Sequence, residues 1–440
     1  MKIWQKKQGQ NPDNMVDKFT VGKDKEFDVI LAEYDVLGSI AHTKMLQKVG
    51  LLSSEELEKV LHGLEEILVE IQEGRFVIDD DAEDVHSQVE GLLTQKIGDA
   101  GKKIHSGRSR NDQVAVDIKL FLRAKIVEIT TEIQSLFDLL IDLSEKHKNK
   151  GLPGYTHLQL AMPSSFGLWF GSYAESLVDD MEMMVAAQKI INKNPLGSGA
   201  GYGSTFPLDR SMTTQLLGFD TLNWNAINAQ TGRGKGERAL AAGMSFVAAT
   251  LAKMSMDCCI YMNEHFGFIS FPEHLTTGSS IMPHKRNPDV FELIRGKCNR
   301  IQALPNELNM LCTNLPSGYH REMQLTKEIL FPGIEDLIFC LKMAHLMLSN
   351  ISINDGILKD KKYTHLFTVD AVNQLVVSGV PFRDAYKIVG NQVSAGTFTF
   401  NLDESQVTKH PHEGSIYRLC NEEIVLEMKK VMAKLNFGKD

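Results

Sequence analysis

The chain has 440 residues, of which 43% are hydrophobic and 23% are charged, and its formal net charge is -9. Because this length exceeds what one hydrophobic core usually serves, we expect a globular protein with more than one domain. The acidic balance excludes the basic surface typical of nucleic-acid binding, and no stretch looks long and charge-free enough to span a bilayer. We therefore predict neither a nucleic-acid partner nor a membrane partner.

The N-terminal region, residues 1 to 108, is predicted to form shorter helices. Ser53 and Glu56 have the spacing of a capping box, which indicates a helix from Ser54 to Glu73. The region lacks the apolar core of a secretory leader, and the six cysteines of the chain follow no regular disulfide spacing. We therefore expect a cytoplasmic protein.

An acidic run from Asp79 to Asp84 precedes His86 and allows two interpretations. The residues could be metal ligands, or they could be acidic residues gathered at a helix start, where the helix macrodipole favours them. The second interpretation needs no further ligands. We predict no metal site.

A long helix is predicted between Arg108 and Lys150, a stretch with neither glycine nor proline. Its length would be roughly 60 Å at the helical rise per residue. Apolar residues recur there in alternating steps of four and three, and such a seam requires partner helices. The seam consists of Leu122, Ile126, Ile129, Ile133, Leu136, Leu140 and Leu143.

Two more helices complete the predicted central bundle, which we assign to residues 109 to 358. One runs from about Glu237 to Phe266, and the other from Pro288 to Leu304, just before Pro305. Residues 359 to 440 contain short helical runs that break at Gly379-Val380-Pro381. Since strand signals are sparse, we predict an all-α fold of three domains, with a bundle surface that favours oligomerisation.

The glycine-rich run from Gly197 to Ser204 invites a nucleotide-binding interpretation. It lacks the strict G-x-G-x-x-G spacing and a surrounding βαβ unit, so we interpret it as a loop that shapes a site. A serine hydrolase is disfavoured because the chain has no G-x-S-x-G elbow.

The segment from Thr276 to Asp289 is the densest in chemically useful groups. It combines the hydroxyl of Ser279, the cation of Lys285 and the amide of Asn287 just before a predicted helix. These groups suit binding of a carboxylate and removal of a proton beside it. Composition alone leaves open the alternative of a basic surface loop.

The order Gly-Ser-Ser, any residue, Met-Pro, any residue, Lys, any residue, Asn-Pro resembles the signature of the fumarase/aspartase superfamily. The blocks Ser106 to Gln113 and Gly154 to Gln159 are similar to two further superfamily motifs, in the form found in its argininosuccinate-cleaving branch. The resemblance extends from Tyr34 to Tyr319. It implies a three-domain fold whose central long-helix bundle is shared in a homotetramer with composite active sites.

The activity implied by the resemblance is the reversible β-elimination of argininosuccinate to arginine and fumarate, a step of arginine biosynthesis. The substrate would be a small molecule, and no cofactor is expected. Rival hypotheses are another lyase of the superfamily, acting on adenylosuccinate, aspartate or malate, and a helical scaffold without turnover.

The resemblance also implies roles for individual residues. Ser279 would be the base and Lys285 would stabilise the aci-carboxylate carbanion, while His157, oriented by Glu292, would be the second acid/base group. Substrate contacts are expected from Arg110, Asn111, Thr156, Asn287, Arg233, Tyr319, Gln324 and Lys327, with His86 nearby.

Three segments depart from the superfamily pattern, and one of them is the glycine-rich run from Gly197 to Ser204, which differs in detail from the commoner forms. Gly22 stands where a serine usually offers a side-chain contact to the substrate, so backbone or water would have to replace it. The run Gly232 to Gly236 lacks the usual acidic neighbours of Arg233.

Overall fold

The computed structural model describes residues 14–80, 82–400 and 412–435, and helices dominate it. The α-helices are α1 (Asn14–Val21), α2 (Asp24–Lys48), α3 (Ser54–Gln72), α4 (Val85–Ile97), α5 (Asp99–Lys102), α6 (Arg110–Lys146), α7 (Phe166–Ile191), α8 (Arg210–Leu216), α9 (Ala226–Thr231), α10 (Lys235–Met262), α11 (Asp289–Ile301), α12 (Leu304–Leu311), α13 (Leu325–Ser349), α14 (Thr368–Val377), α15 (Phe382–Ser394) and α16 (Asn421–Met432). Short 3-10 turns cover Lys103–His105, Glu273–Leu275, Arg321–Gln324, Ile357–Lys359 and Lys361–Phe367.

The strands form three two-stranded sheets. They are β1 (Gly151–Thr156) with β2 (Gln159–Ser165), β3 (Lys193–Asn194) with β4 (Thr221–Leu222), and β5 (Ile269–Ser270) with β6 (Ser352–Ile353). No larger sheet occurs in the described ranges. The predicted all-α class is confirmed.

The core of the molecule is a bundle in which α6 packs against α7 and α13, and α10 packs against α7 and α11. Helix α6 has 37 residues, and every residue of the predicted apolar seam is at most 5% exposed. The long helix is therefore confirmed, together with the physical reason for it. An apolar stripe of this length is stable only when other helices cover it.

The helix predicted from Pro288 to Leu304 is wrong in one respect. Helix α11 ends at Ile301, and α12 begins at Leu304 with Pro305 in its first turn. Proline fits there because the first N–H groups of a helix need no partner within the helix. Pro305 therefore marks the start of a helix and not the end of one.

Helix α10 also corrects an expectation about membranes. By length and composition it could cross a bilayer, although the sequence analysis found no such stretch. Within its most apolar window 56% of the residues are buried in the molecule, and core helices of globular proteins pass the same test. The helix serves here as a central bundle element.

In the N-terminal region, α2, α3 and α4 enclose a second apolar cluster that includes Val36, Leu64 and Val89. The capping box of Ser53 and Glu56 is confirmed, with hydrogen bonds in both directions. Asp84 caps α4 by accepting the N–H of Ser87, which supports the helix-start interpretation of the acidic run. Asp81 lies outside the described residues.

In the C-terminal region, α14 and α15 flank the predicted break at Gly379 to Pro381, and α16 packs on α7. All six cysteines are free, as the spacing predicted. The cytoplasmic location was predicted from the N-terminal stretch, and that stretch lies largely outside the described residues. The boundaries of the three domains remain a prediction.

A β-hairpin inside the bundle region was not predicted. Strands β1 and β2 pair antiparallel, with Thr156 opposite Gln159, and His157 and Leu158 form the turn between them. Both turn residues have positive φ, 54° and 59°, which residues other than glycine rarely adopt. The turn contains neither Asn-Gly nor Asp-Gly, so no residue pattern indicated a hairpin there.

Candidate active site

Ser279 lies in the exposed loop that joins the turn at Glu273–Leu275 to α11. Its Oγ accepts the backbone N–H groups of Ile281, at 3.3 Å, and Met282, at 3.2 Å. Two donors aimed at one hydroxyl oxygen favour its negatively charged form. This local geometry fits a serine that acts as a base.

The same loop folds back on itself and holds the other groups of the signature. The backbone N–H of Asn287 donates to the carbonyl of Thr277 at 2.9 Å, and its side-chain amide donates to the carbonyl of Gly278. The N–H of Lys285 donates to the carbonyl of Met282 at 3.0 Å. Lys285 and Asn287 are therefore brought into the same small loop as Ser279, as the sequence predicted.

His157 and Thr156 lie at the exposed tip of the hairpin, and Glu292 is exposed on α11. Within the described ranges, His157 forms no hydrogen bond or ion pair with Glu292 or with Ser279. The predicted pairing of His157 with Glu292 is thus not present inside one chain.

Arg110 and Asn111 form the first turn of α6, where Ser109 and Asp112 make a capping box. The Arg110 guanidinium forms ion pairs with Glu83, at 2.6 Å, and Asp84, at 3.3 Å, and it donates to Ser87 Oγ at 2.8 Å. These contacts, which the sequence analysis missed, hold the side chain against the start of α4. Arg110 is therefore held in place by groups of the protein itself.

The glycine-rich run from Gly197 to Ser204 also contacts the start of α6. The N–H groups of Gly197 and Gly199 both donate to Asp112 Oδ2 at 2.9 Å, and both glycines have positive φ. Only glycine adopts this backbone at low cost. The run therefore contacts a carboxylate of the protein itself, at the first turn of α6. That it shapes the site stays a prediction.

His86 lies in a buried cluster of charged groups. Its Nδ1 is 2.7 Å from Asp35 and 3.7 Å from Asp117, and the Arg108 guanidinium lies in the same field. Burial opposes protonation of His86, but the charge and hydrogen bond of Asp35, followed by the charges of Asp84 and Asp117, raise its pKa to about 10. His86 is therefore an imidazolium at neutral pH.

The Asp35, His86 and Asp117 side chains are also of the kinds that bind metals, and their ligand atoms lie within 4.8 Å of one another. The short contact between His86 and Asp35 is a charge-assisted hydrogen bond, which needs the proton that a metal would displace. Arg108 supplies a second positive charge to the carboxylates. The geometry therefore favours a buried ion cluster.

A second group of predicted contacts gathers where α13 meets α1 and α2. Lys327 is buried, and its Nζ lies 2.7 Å from Asp24 and 2.5 Å from Asp28. The side-chain amide of Gln324 donates to the carbonyl of Thr20 at 3.0 Å. The backbone carbonyl of Thr20, two residues before Gly22, thus accepts a hydrogen bond from this group of residues, although Gly22 itself has no side chain to offer.

Arg233 and Tyr319, two further predicted substrate contacts, lie against each other. The guanidinium carbon of Arg233 lies 5.6 Å from the centre of the Tyr319 ring, a cation-π distance. Gly234, at the start of α10, has a φ of 77°, and a side chain there would collide with Cys312. The unusual glycine run therefore lets the chain turn closely past Cys312 directly after Arg233.

A sequence profile described as Lyase matches residues 7–303 of the chain. The chain is 54% identical to "Argininosuccinate lyase" of Phocaeicola vulgatus over 437 residues, which cover 99% of this chain and 97% of the relative. It is 38% identical to "Argininosuccinate lyase" of Stenotrophomonas maltophilia over 385 residues, 88% of this chain and 89% of the relative. The chain belongs to the argininosuccinate lyase family.

As a member of this family the chain is an enzyme, a lyase that acts on a small molecule. Solved structures agree on the fold. EDDS lyase in complex with formate superimposes with a TM-score of 0.75 at 19% identity, over 97% of this chain and 90% of that chain. Class II fumarase from Schistosoma mansoni gives 0.72 at 17% identity, over 93% and 91%. The predicted fumarase/aspartase-like fold is confirmed.

Proposed function

We propose that the chain cleaves argininosuccinate into arginine and fumarate, with Ser279 as the base. The proposal rests on one observation in the signature loop: the backbone N–H groups of Ile281 and Met282 both donate hydrogen bonds to Ser279 Oγ. A serine hydroxyl is far too weak a base unless its charged form is stabilised. The relatives are named argininosuccinate lyase, and for this reason argininosuccinate is the proposed substrate.

In the first step, the Ser279 oxyanion takes a proton from the methylene carbon (Cβ) of the succinyl group, which carries a carboxylate and is bonded to the carbon that holds the leaving nitrogen. The electron pair of the C–H bond moves into that carboxylate and gives an aci-carboxylate dianion. Lys285 and Asn287, held in the same loop, would stabilise the added charge.

In the second step, the dianion expels the guanidinium group. The electron pair returns to form the carbon-carbon double bond of fumarate, and the carbon-nitrogen bond breaks. The leaving nitrogen takes up a proton, supplied by His157 directly or through a water that it polarises. Glu292 would orient His157 in the assembled site. The remaining predicted contacts would bind the two halves of the substrate.

We further propose a homotetramer with composite active sites, built from chains of three domains, 1–108, 109–358 and 359–440. Large apolar side chains are exposed on the bundle helices of a single chain, including Ile190 at 42%, Phe246 at 49% and Phe339 at 59%. Exposed apolar residues on long helices favour burial against other chains. The exposed His157 would then meet Ser279 of another subunit. In the cytoplasm, such an enzyme would act in arginine biosynthesis.

Purified protein should be offered argininosuccinate, adenylosuccinate, aspartate and malate side by side, with fumarate followed by its ultraviolet absorbance. We expect turnover of argininosuccinate alone. Turnover of a different substrate would keep the mechanism and overturn the assignment of the substrate. Activity on none of them would favour the scaffold hypothesis.

A further inference from the structure

The hairpin that carries His157 ends in a strained turn. His157 and Leu158 both have positive φ, and neither is glycine. Such backbone conformations are unfavourable, and they persist where surrounding contacts hold the chain, often at functional sites. Both side chains are exposed at the tip, Leu158 by 81%. The packing that holds the turn therefore has to come from the strands on either side of it.

Tyr155, in β1 and two residues before His157, lies in such packing. Its hydroxyl forms a hydrogen bond with the hydroxyl of Tyr363, and its ring meets Phe266 edge-on, with the ring centres 5.6 Å apart. Burial, followed by the bond with Tyr363, raises the pKa of the Tyr155 hydroxyl, so this group stays protonated and is the donor of the bond. Tyr155 is thus held at its ring and at its hydroxyl.

Tyr363 is a rigid partner for this bond because it lies in the core. It belongs to the 3-10 turn Lys361–Phe367, is 3% exposed, and packs against Phe268 with the ring centres 6.2 Å apart. A buried tyrosine hydroxyl is costly without a polar partner. The Tyr155 hydroxyl is such a partner, so the bond anchors β1 to the core.

The base of the same hairpin is held by the chain just before Tyr363. Lys150 forms an ion pair with Asp355, and Gly151 lies so close to Leu358 that an added side chain would collide with it. Strand β2 also packs against the turn that contains Tyr363. The segment 355–363 therefore supports the hairpin both at its base and near its tip, although the sequence analysis placed no residue of this segment in the site.

We propose that Tyr155 and Tyr363 are positioning residues, and that the hydrogen bond between their hydroxyls holds the hairpin in the shape that presents His157. This inference rests on the proposed function, in which His157 serves the leaving nitrogen. The two tyrosines act through the hairpin and not on the substrate. When the bond is lost, the strained turn relaxes and His157 shifts. A displacement of about 1 Å in a reacting group is enough to slow the chemical step.

The first test is steady-state kinetics with argininosuccinate. Tyr155→Phe and Tyr363→Phe should each lower kcat about five- to tenfold, because one hydrogen bond is lost. KM should stay within about threefold, since the predicted substrate contacts other than Thr156 lie outside the hairpin. The double variant should be no slower than the slower single variant, because both changes remove the same bond. Tyr386→Phe, at a residue 65% exposed on α15, is the matched control and should behave as the wild type.

Three kinetic results would overturn the proposal. If the losses of the two single variants add up in the double variant, the hydroxyls do not act through one shared bond. If KM rises while kcat is unchanged, the tyrosines serve binding and not the placement of His157. If the control loses as much activity as Tyr363→Phe, the effect is not specific to the hairpin.

Hydrogen-deuterium exchange tests the same inference without turnover, which separates its failure from that of the proposed function. In Tyr363→Phe the backbone amides of residues 155–160 should exchange about five- to tenfold faster than in the wild type, while those in the middle of α6 should be unchanged. Tyr386→Phe should leave both sets unchanged. Unaltered exchange of the hairpin in Tyr363→Phe would overturn the proposal whether or not argininosuccinate is cleaved. Faster exchange with an unaltered kcat would overturn it as well.

Discussion

His86 is a buried cation, and its replacement should reduce the stability of the N-terminal region. The imidazolium lies between Asp35 and Asp117, each at most 2% exposed. Burial raises the pKa of Asp117 well above its usual value, which shows how poorly the site tolerates an uncompensated carboxylate. The change His86→Asn removes the positive charge and keeps a polar side chain that can still donate a hydrogen bond.

The size of the expected stability loss follows from the pKa shift of His86 between the unfolded and the folded protein. A rise in pKa from 6.5 to about 10 corresponds to about 5 kcal/mol of stabilisation when the imidazole is fully protonated. Breaking a buried ion pair by removal of one partner typically costs about 3–5 kcal/mol. We expect His86→Asn to lower the free energy of unfolding by about 3–5 kcal/mol at pH 7.

The assay is urea unfolding at a fixed protein concentration, because an oligomer changes its apparent stability with concentration. The control is His62→Asn, since the side chain of His62 is 74% exposed and its ion pair with Glu66 should contribute less than about 1 kcal/mol. A loss at His86 no larger than that at His62 would refute the reasoning.

The pH dependence gives an independent check. Because the folded-state pKa of His86 is raised, its stabilisation is fully present below about pH 6.5 and is lost as the pH rises toward 10. Near pH 10 the wild type loses part of the positive charge of His86, so Asp35 and Asp117 lack full charge compensation in the wild type as well as in the variant. The difference between wild type and variant should therefore narrow from pH 7 to pH 10, and a constant difference would argue against a charged His86.

Three further predictions follow. Ser279→Ala should lower kcat at least about a hundredfold without changing the sedimentation of the protein, because only the proton acceptor is lost. Inactive Ser279→Ala and His157→Asn chains, refolded together in equal amounts, should recover up to about a quarter of the wild-type activity if each site takes these residues from different subunits, and none if one chain supplies both. Ile133→Ala, in the fully buried seam of α6, should cost about 2–5 kcal/mol in urea unfolding through the cavity it leaves.

The long helices could be predicted from the sequence because their causes are local. The seam of α6 repeats every three or four residues, and the capping box of α3 lies within one turn. The boundary at Pro305 could not be decided locally, because proline both follows helices and begins them. The hairpin was missed for a different reason. Its turn is formed by His157 and Leu158, and no ordinary turn residue marks it.

The candidate site was predictable only as far as its motifs extend. Ser279, Lys285 and Asn287 lie close in sequence, so one loop had to contain them. The acids that hold Arg110 and Lys327 come from other helices, and nothing in the sequence pairs Asp28 with Lys327, 299 residues away.

The way in which each candidate site residue is held in the structure suggests an order for substrate binding and catalysis. Arg110 and Lys327 lie on long helices and are already held by ion pairs, whereas Ser279, Lys285 and His157 lie on exposed loops and turns. In the proposed mechanism an exposed serine oxyanion would be protonated by water, so Ser279, Lys285 and His157 would have to be covered before the proton is taken. Substrate binding should therefore precede closure of the Ser279 loop. It follows that Ser279→Ala should leave arginine binding unchanged, since the predicted substrate contacts Arg110, Gln324 and Lys327 lie outside that loop.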